Sequence, residues 1–530
     1  MIVLGAGVTV LTLSLLGVLA ARRVRGRASS YLLAGRALPA SLVGAVLMTQ
    51  AVDANATLGN ADAAVDAGFW AGASLPLGLA LCLVLAGLFV AGRMNAMGWV
   101  TLPEFFRHRY GRAVELAAAV LTVIAFAVLL AGNLVALGLL TEFFLGIHHT
   151  VGIALAVPVV LAYTVAGGLF AGVYTGLLQI AVNAVAVVCL TVWTATTHGF
   201  GAPEGLGPAD LDQLASADSG AVLNWATLLA LGLGNLMAID LMNRIFAARS
   251  PSAARRACFI GAGGILVLCL PLTFVALAGA GVVSGGGPVL FVLLDGHAPV
   301  WLAVLTVSGL VMASLTTVGG VLLSASAVVV RNVLSSDPPA EGSMDGRTTW
   351  AIRAAMVPLA VAGAFVAVRV PQSGILLTLA FDLLLASMVV PFLLGLYWNR
   401  GGTAAAVAGI AAGLTVRLVA FVLTPTIHGA ENTLLYLPND LLTEAADGWS
   451  TIAAPVVCLI VHTAVAGLTR PGARVTVTDH TRATEDTDVT GQAGQETGDA
   501  APGRGPGAGR PAARPAALGL PGPERAGDRP

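Results

Sequence analysis

Apolar residues run along this chain in blocks of about twenty, separated by short stretches of charge, glycine and proline, and that pattern predicts membrane-spanning helices. Thirteen candidate spans follow, at 2–21, 38–59, 70–92, 114–145, 150–169, 172–197 and 222–246, then 256–282, 298–331, 349–369, 372–397, 403–424 and 451–469. Segment 287–296 is apolar but short, and reads as a re-entrant or interfacial piece. The first run, Ile2 to Ala21, has no basic stretch before it and no small-residue cleavage site after it, so it reads as a retained helix rather than a signal peptide. From about Pro471 the apolar runs stop, and the Gly, Pro, Ala, Thr and Arg-rich remainder lacks the apolar surface needed to order itself.

Two spans carry internal faults. The second contains TQAVDANATLGNADA, too polar and too rich in small residues for an uninterrupted lipid-facing helix. The seventh has a weak point at Gly232 to Asn235. The physical alternative is a broken helix whose freed carbonyls and amides line a cavity. Two interrupted spans five apart are the pattern of inverted-repeat secondary transporters.

Composition narrows the classes. The chain has 530 residues, of which 57% are hydrophobic and 10% charged, against roughly a quarter charged in soluble domains. Its 27 basic and 28 acidic residues leave a formal charge of −1, so there is no global pull toward nucleic acid. A nucleic-acid binder, a secreted disulfide scaffold and a soluble enzyme are excluded. Cys82, Cys189, Cys258, Cys269 and Cys458 lie singly in apolar runs with no metal or disulfide spacing.

Loop charge sets the expected orientation. Arginines cluster after the first span (Arg22, Arg23, Arg25, Arg27), the third (Arg93, Arg107, Arg109, Arg112), the seventh (Arg249, Arg255, Arg256), the ninth (Arg331, Arg347) and the eleventh (Arg400). The alternate loops are acidic or bare, with Asp62, Asp66, Glu204, Asp210, Asp212, Asp218, Glu431, Asp440 and Glu444. The positive-inside rule then predicts a multi-pass protein of the inner (plasma) membrane, N-terminus outside and C-terminus cytoplasmic.

The chemistry within the spans is sparse. The eight histidines are scattered, with the His148–His149 pair in a short outer loop, and no phosphate-cradling glycine loop is present. No nucleotide, organic cofactor or enzymatic activity is expected, so concentrative work has to draw on an ion gradient. Acids inside spans are costly and tend to be functional or internally paired. Asp53, Asp240 and Asp382 are the candidates. Asp53 reads either as functional or as the cap of a helix break. Asp240 precedes Arg244 by four residues, so the two can pair on one helix face, and Asp382 can face the bundle as a gating or substrate residue. Glu142 reads as interfacial.

Several runs resemble motifs of the sodium:solute symporters: SSYLLAGRALP (Ser29 to Pro39), TLPEFFRHRYG (Thr101 to Gly111), AYTVAGGLFAGVYTGLLQ (Ala162 to Gln179), NRIFAARSPSAARRA (Asn243 to Ala257), MASLTTVGGVLLSASAVVVRNV (Met312 to Val333) and LGLYWNRGGTAAAVAGIAAG (Leu394 to Gly413). They occur in family order. The resemblance implies an all-α polytopic LeuT-type fold, with a five-plus-five inverted repeat and breaks in the second and seventh spans. The domains would then be 1–37, a peripheral span and basic loop; 38–197 and 198–397, the two repeats; 398–470, peripheral spans; and 471–530, a disordered cytoplasmic tail.

The resemblance also implies a Na⁺ site between the broken second span and the ninth. Carried over by motif, its ligands are the carbonyls of Thr49, Val52 and Ala313 and the hydroxyls of Thr316 and Thr317. Two departures stand out: many relatives have Asp where this chain has Gly176 and Gly319. Some motifs look closest to the choline-transporting branch, GWVTLPEFFRHRYG and Arg417 among them. The cage tryptophans of that branch fall at Ala51 and about Ala238, so a quaternary ammonium is not expected and a primary amine or basic solute is. Cavity candidates are Gln50, Asp53, Asn55, Asn235 and Asp382. The expected function is Na⁺-coupled uptake of a small polar organic solute, an amine or amino acid, by a monomer or weak homo-oligomer in the bilayer. The alternatives are a proton-coupled or uncoupled facilitator on the same fold and a transporter-like sensor.

Overall fold

The computed structural model describes residues 1–24, 28–281, 287–335, 346–372, 374–398, 400–433 and 435–469. The expected disorder of the tail, and the basic residues Arg25 and Arg27, lie outside the described residues. Within them each predicted span falls on a helix or a broken helix pair, consistent with the thirteen expected. Eight helices are long and apolar enough to cross a bilayer alone, and two bent pairs bring that to ten. The remainder comes from the first span, Ile2–Val24, the polar second span, and one very long helix that holds two spans.

That long helix, His149–Thr197, has 49 residues. At 1.5 Å per residue it would be about 74 Å long, more than twice the ~30 Å hydrocarbon layer. It is broken at Gly168 (φ 54°, ψ −141°), a backbone conformation only glycine adopts freely. A Cβ there would lie 2.5 Å from the Tyr31 ring, so Tyr31 of the SSYLLAGRALP motif fills the corner between the fifth and sixth spans.

The second span is two helices, Ala40–Ala51 and Ala54–Ala67. The sequence pattern ended this span at 59, because ADAAVDA reads as loop. The chain stays helical to Ala67 because its small residues let it pack inside the bundle rather than against lipid. Asn60 donates to the Cys269 carbonyl (3.1 Å) and accepts from Thr273 Oγ1 (2.9 Å), which ties this half to the eighth span. The seventh span is also broken: Ala221–Met237 and Ile239–Ala247 meet at 51°. A third break, not foreseen, bends the eleventh span by 49° between Ile375–Ser387 and Val389–Tyr397. Pro391 explains it, since it cannot donate to the Ser387 carbonyl one turn back. That carbonyl accepts from Cys458 Sγ instead (3.9 Å).

Segment 287–296 contains a short helix, Val289–Gly296, whose first amide donates to Asp62 (3.1 Å). The motif TLPEFFRHRYG forms helix Pro103–Tyr110, in which Glu104 and Arg109 are buried while His108 is exposed. Glu104 accepts from Arg331 Nη2 (2.8 Å), Asn332 donates to Glu115 (2.8 Å), and Arg112 pairs with Glu115 (2.8 Å). These bonds anchor the end of the ninth span to the start of the fourth.

The broken second span also crosses the start of the eleventh with almost no clearance. A Cβ on Gly59 would lie 2.5 Å from Gly374 Cα, and Asn55 Oδ1 accepts from the Gly374 amide (2.5 Å). Backbone on both sides leaves nothing able to yield. Gly59→Ala is therefore expected to cost about 1–3 kcal/mol, the usual penalty of overpacking. It should lower the apparent melting temperature of the purified protein, and an unchanged melting temperature would refute the crossing.

Candidate functional site

The break in the second span is two residues long. Val52 leaves the first helix with φ −98° and ψ 54°, and Asp53 is extended (φ −94°, ψ 167°) before the second begins. Asp53 is fully buried and caps that helix: Oδ1 accepts from the Ala56 amide (2.6 Å) and Oδ2 from Asn133 Nδ2 (2.7 Å). A carboxylate at a helix N-terminus satisfies free amides and complements the helix dipole. Both oxygens of Asp53 are thus engaged within the protein.

The ninth span, Val300–Val328, faces this break and is buried along nearly all of its inner length. Residues 313, 316 and 317 are spaced i, i+3, i+4 and share one helix face. Thr317 Oγ1 lies 3.5 Å from the Thr49 carbonyl, so that face fronts the break. The hydroxyls of Thr316 and Ser314 are buried without a hydrogen-bond partner. One hydroxyl against a freed carbonyl, with unpartnered buried hydroxyls on the same helix, offers neutral oxygens of the kind a hard monovalent cation accepts.

Sequence reasoning missed the polar residues that complete this region. Gln179, in the sixth span, donates its amide to the carbonyls of Val52 (2.9 Å) and Thr49 (3.3 Å). Asn133, in the fourth, binds Asp53. Both are uncharged and sit in otherwise apolar runs, so a search for acids passes over them. Gln179 was nevertheless visible as the last residue of a quoted motif.

The positions of the two absent acids are filled. A Cβ on Gly176 would meet Thr49 Cγ2 at 2.9 Å, and one on Gly319 would meet Tyr163 Oη at 2.7 Å and Thr164 Oγ1 at 2.8 Å. The Tyr163 hydroxyl donates to the Leu315 carbonyl. Neither site has room for a carboxylate without repacking.

The remaining candidates separate. Asn235 lines a small central cavity bordered by the second, third, fourth, seventh, eighth, ninth and eleventh spans, together with Asp240, Thr317, Leu129, Leu377 and Phe381. It holds about 20 Å³, room for little more than one water. Asp240 is buried, and its Oδ2 lies 3.6 Å from Arg244 Nη1, which also donates to the Asp240 carbonyl (3.1 Å). Asn55 bridges to Gly374, as above, and Asp53 is occupied by its caps. Asp382 lies apart from the cavity lining, in a buried pair with Arg417 of the twelfth span, and His428 Nε2 approaches the same carboxylate oxygen at 3.5 Å. The side chain of Gln50 lies outside the described part of the structure. A second cavity of about 240 Å³, lined by Gly59, Asp62, Asp66, Gly374 and His428, lies beyond the Gly59–Gly374 crossing.

Broken helices that meet around a small central cavity, with backbone carbonyls freed at one break, are the architecture of a multi-pass membrane transporter. The profile of the sodium:solute symporter family matches residues 31–413, and the chain belongs to that family. It is 25% identical over 435 residues to the human high affinity choline transporter 1, covering 77% of this chain and 74% of that one. It is 26% identical over 264 residues to the high-affinity proline transporter PutP of Bacillus subtilis, covering 47% of this chain and 55% of the relative. A solved Na⁺-coupled sialic acid symporter, in a substrate-bound outward-open state, superposes with a TM-score of 0.71 at 16% identity, covering 90% of this chain and 99% of that chain. The fold is therefore the LeuT-type fold that the motifs implied.

Proposed function

We propose that the protein uses an inward Na⁺ gradient to take up a small polar organic solute by alternating access. The observation that carries this reading is the approach of the ninth span to the second-span break, with Thr317 against the Thr49 carbonyl and the neighbouring Thr316 hydroxyl buried and unpartnered. Na⁺ arriving from outside bridges the two spans at Thr49, Val52, Ala313, Thr316 and Thr317. The membrane potential contributes ~2.3 kcal/mol per charge per 100 mV. Ion binding drives solute uptake because it favours the conformation that binds solute. The arginine-bearing loops face the cytoplasm, with the N-terminus outside. Residues 38–197 and 198–397 are the two repeats that rock against each other.

The solute carries a positively charged nitrogen. Asp240 lines the central cavity, where its Oδ1 accepts from the Leu241 amide (2.8 Å) and its Oδ2 lies 3.6 Å from Arg244 Nη1, a pairing that an incoming cationic nitrogen would compete with. The relatives' names, choline and proline, both denote small nitrogenous solutes. The chain has alanines where the choline-transporting branch carries its cage tryptophans, so a primary or secondary amine fits better than a quaternary one.

A second reading has its own observation. Thr49 and Tyr163 fill the space beside Gly176 and Gly319, which leaves those two positions without acids and favours a proton-coupled or uncoupled facilitator on the same fold. Uptake into proteoliposomes decides between them. Amines, amino acids, sugars and carboxylates are supplied with and without an inward Na⁺ gradient. Accumulation of an amine or amino acid that collapses when Na⁺ is replaced supports the first reading. Na⁺-insensitive uptake selects the second.

A further inference from the structure

Gln179 is fully buried, and its side chain is half satisfied. Nε2 serves two carbonyls, those of Thr49 and Val52, while Oε1 is buried with no hydrogen-bond partner. The orientation is fixed by its neighbours, because only the NH₂ end of an amide can face two carbonyl oxygens. The unpartnered oxygen sits at the far end of the same planar group, an amide's width from the two oxygens proposed to hold the cation.

The terminal torsion of glutamine is broad and roughly two-fold, so its amide turns over without a rotamer penalty. The turned form sets Oε1 against the Thr49 and Val52 carbonyls. Three oxygens in that arrangement repel one another unless a cation lies among them. The nitrogen-on-carbonyl arrangement, in turn, places partial positive charge where the cation would go. The two arrangements exclude each other, and the cation selects between them.

We propose that Gln179 is a further ligand of the cation site, exchanging its ends: the amide nitrogen holds the break closed on itself, and the amide oxygen joins Thr49 and Val52 on the bound cation. The inference rests on the Na⁺-coupled reading above. It accounts for Gly176, one turn before Gln179. The sixth span approaches Thr49 too closely for an acid at that position and supplies a neutral oxygen from the next turn instead. A site built of neutral oxygens binds Na⁺ loosely enough to release it.

The test compares the purified full-length protein with Gln179→Glu and Gln179→Leu. Na⁺ is titrated against N-methylglucamine at constant ionic strength, and both the rise in melting temperature and binding of radioactive Na⁺ are read. Gln179→Glu presents oxygen in both orientations and adds charge, so its Na⁺ midpoint should fall at least tenfold. Gln179→Leu keeps the bulk but offers no oxygen, so its midpoint should rise at least tenfold. If Gln179 is only a brace across the break, both variants lower the melting temperature without Na⁺ and leave the midpoint where it was, which overturns the proposal. Should Gln179→Glu fail to fold, the unmoved midpoint of Gln179→Leu alone overturns it. A wild-type protein that shows no Na⁺ response removes the coupling reading, and this inference with it. A Na⁺-responsive wild type with unmoved variants removes the inference alone.

Discussion

Thr317→Ala and Thr316→Ala are each expected to raise the Na⁺ concentration for half-maximal uptake by about 10–100-fold, with little change in solute uptake at saturating Na⁺. Each removes one oxygen from a set in which Thr317 stands 3.5 Å from the Thr49 carbonyl and Thr316 has no other partner. Loss of one polar contact to a charged group costs ~1.5–3 kcal/mol, which is about 10–150-fold in a binding constant. Thr→Ser at either position keeps the hydroxyl and should restore most of the affinity. That rescue separates a ligand from a packing role, because Ser and Ala both lose the γ-methyl and only Ser keeps the hydroxyl. The measurement is initial uptake rate against Na⁺ in proteoliposomes. An unmoved Na⁺ midpoint in both alanine variants would remove the ninth span from the ion site.

The second large effect is on stability. Arg417→Met leaves Asp382 buried without its principal partner, and breaking a buried ion pair from one side costs ~3–5 kcal/mol. Arg417 donates to Asp382 with both Nε and Nη2, and the carboxylate is completely buried. His428 at 3.5 Å is a weaker partner and offsets only part of the loss. The double replacement Arg417→Met with Asp382→Leu should recover most of the melting temperature, since an apolar pair of similar volume is often neutral or better. Apparent melting temperatures of the wild type, Arg417→Met and the double variant in one detergent read this directly. A single Arg417 variant that keeps its melting temperature but loses uptake would instead assign the pair to gating or solute handling.

Much of the fold was legible because the bilayer makes it so. Each crossing needs about twenty apolar residues in sequence, and the backbone has to satisfy itself helically, so span positions follow from a one-dimensional pattern. The break at Asp53 was legible for the same reason. A polar, small-residue run inside a span has no lipid-facing solution. Where reading failed, the cause was packing between elements distant in sequence. Residues 60–67 look like loop and are helical because Asn60 finds Cys269 and Thr273 some 210 residues later. The bend in the eleventh span needed Pro391 to be weighed together with Cys458, which receives the freed carbonyl.

The candidate site divides along the same line. Thr316 and Thr317 were found by motif, and their i, i+3, i+4 relation to Ala313 is local geometry. That both oxygens of Asp53 are met, by Ala56 and Asn133, while Arg417 meets only Oδ2 of Asp382 and leaves Oδ1 buried without a hydrogen-bond partner, depends on the fourth and twelfth spans arriving beside them. An acid in a span announces only that its charge must be met somewhere.

By itself, then, the chain determined that it lives in a membrane, roughly where its spans lie, and two of the three that are interrupted, because those properties are set within about twenty residues by hydrophobicity and helix geometry. Only the tertiary structure decided which polar side chains remain unpartnered and which are already spoken for, because a buried polar atom takes its partner from whatever neighbour the packing delivers.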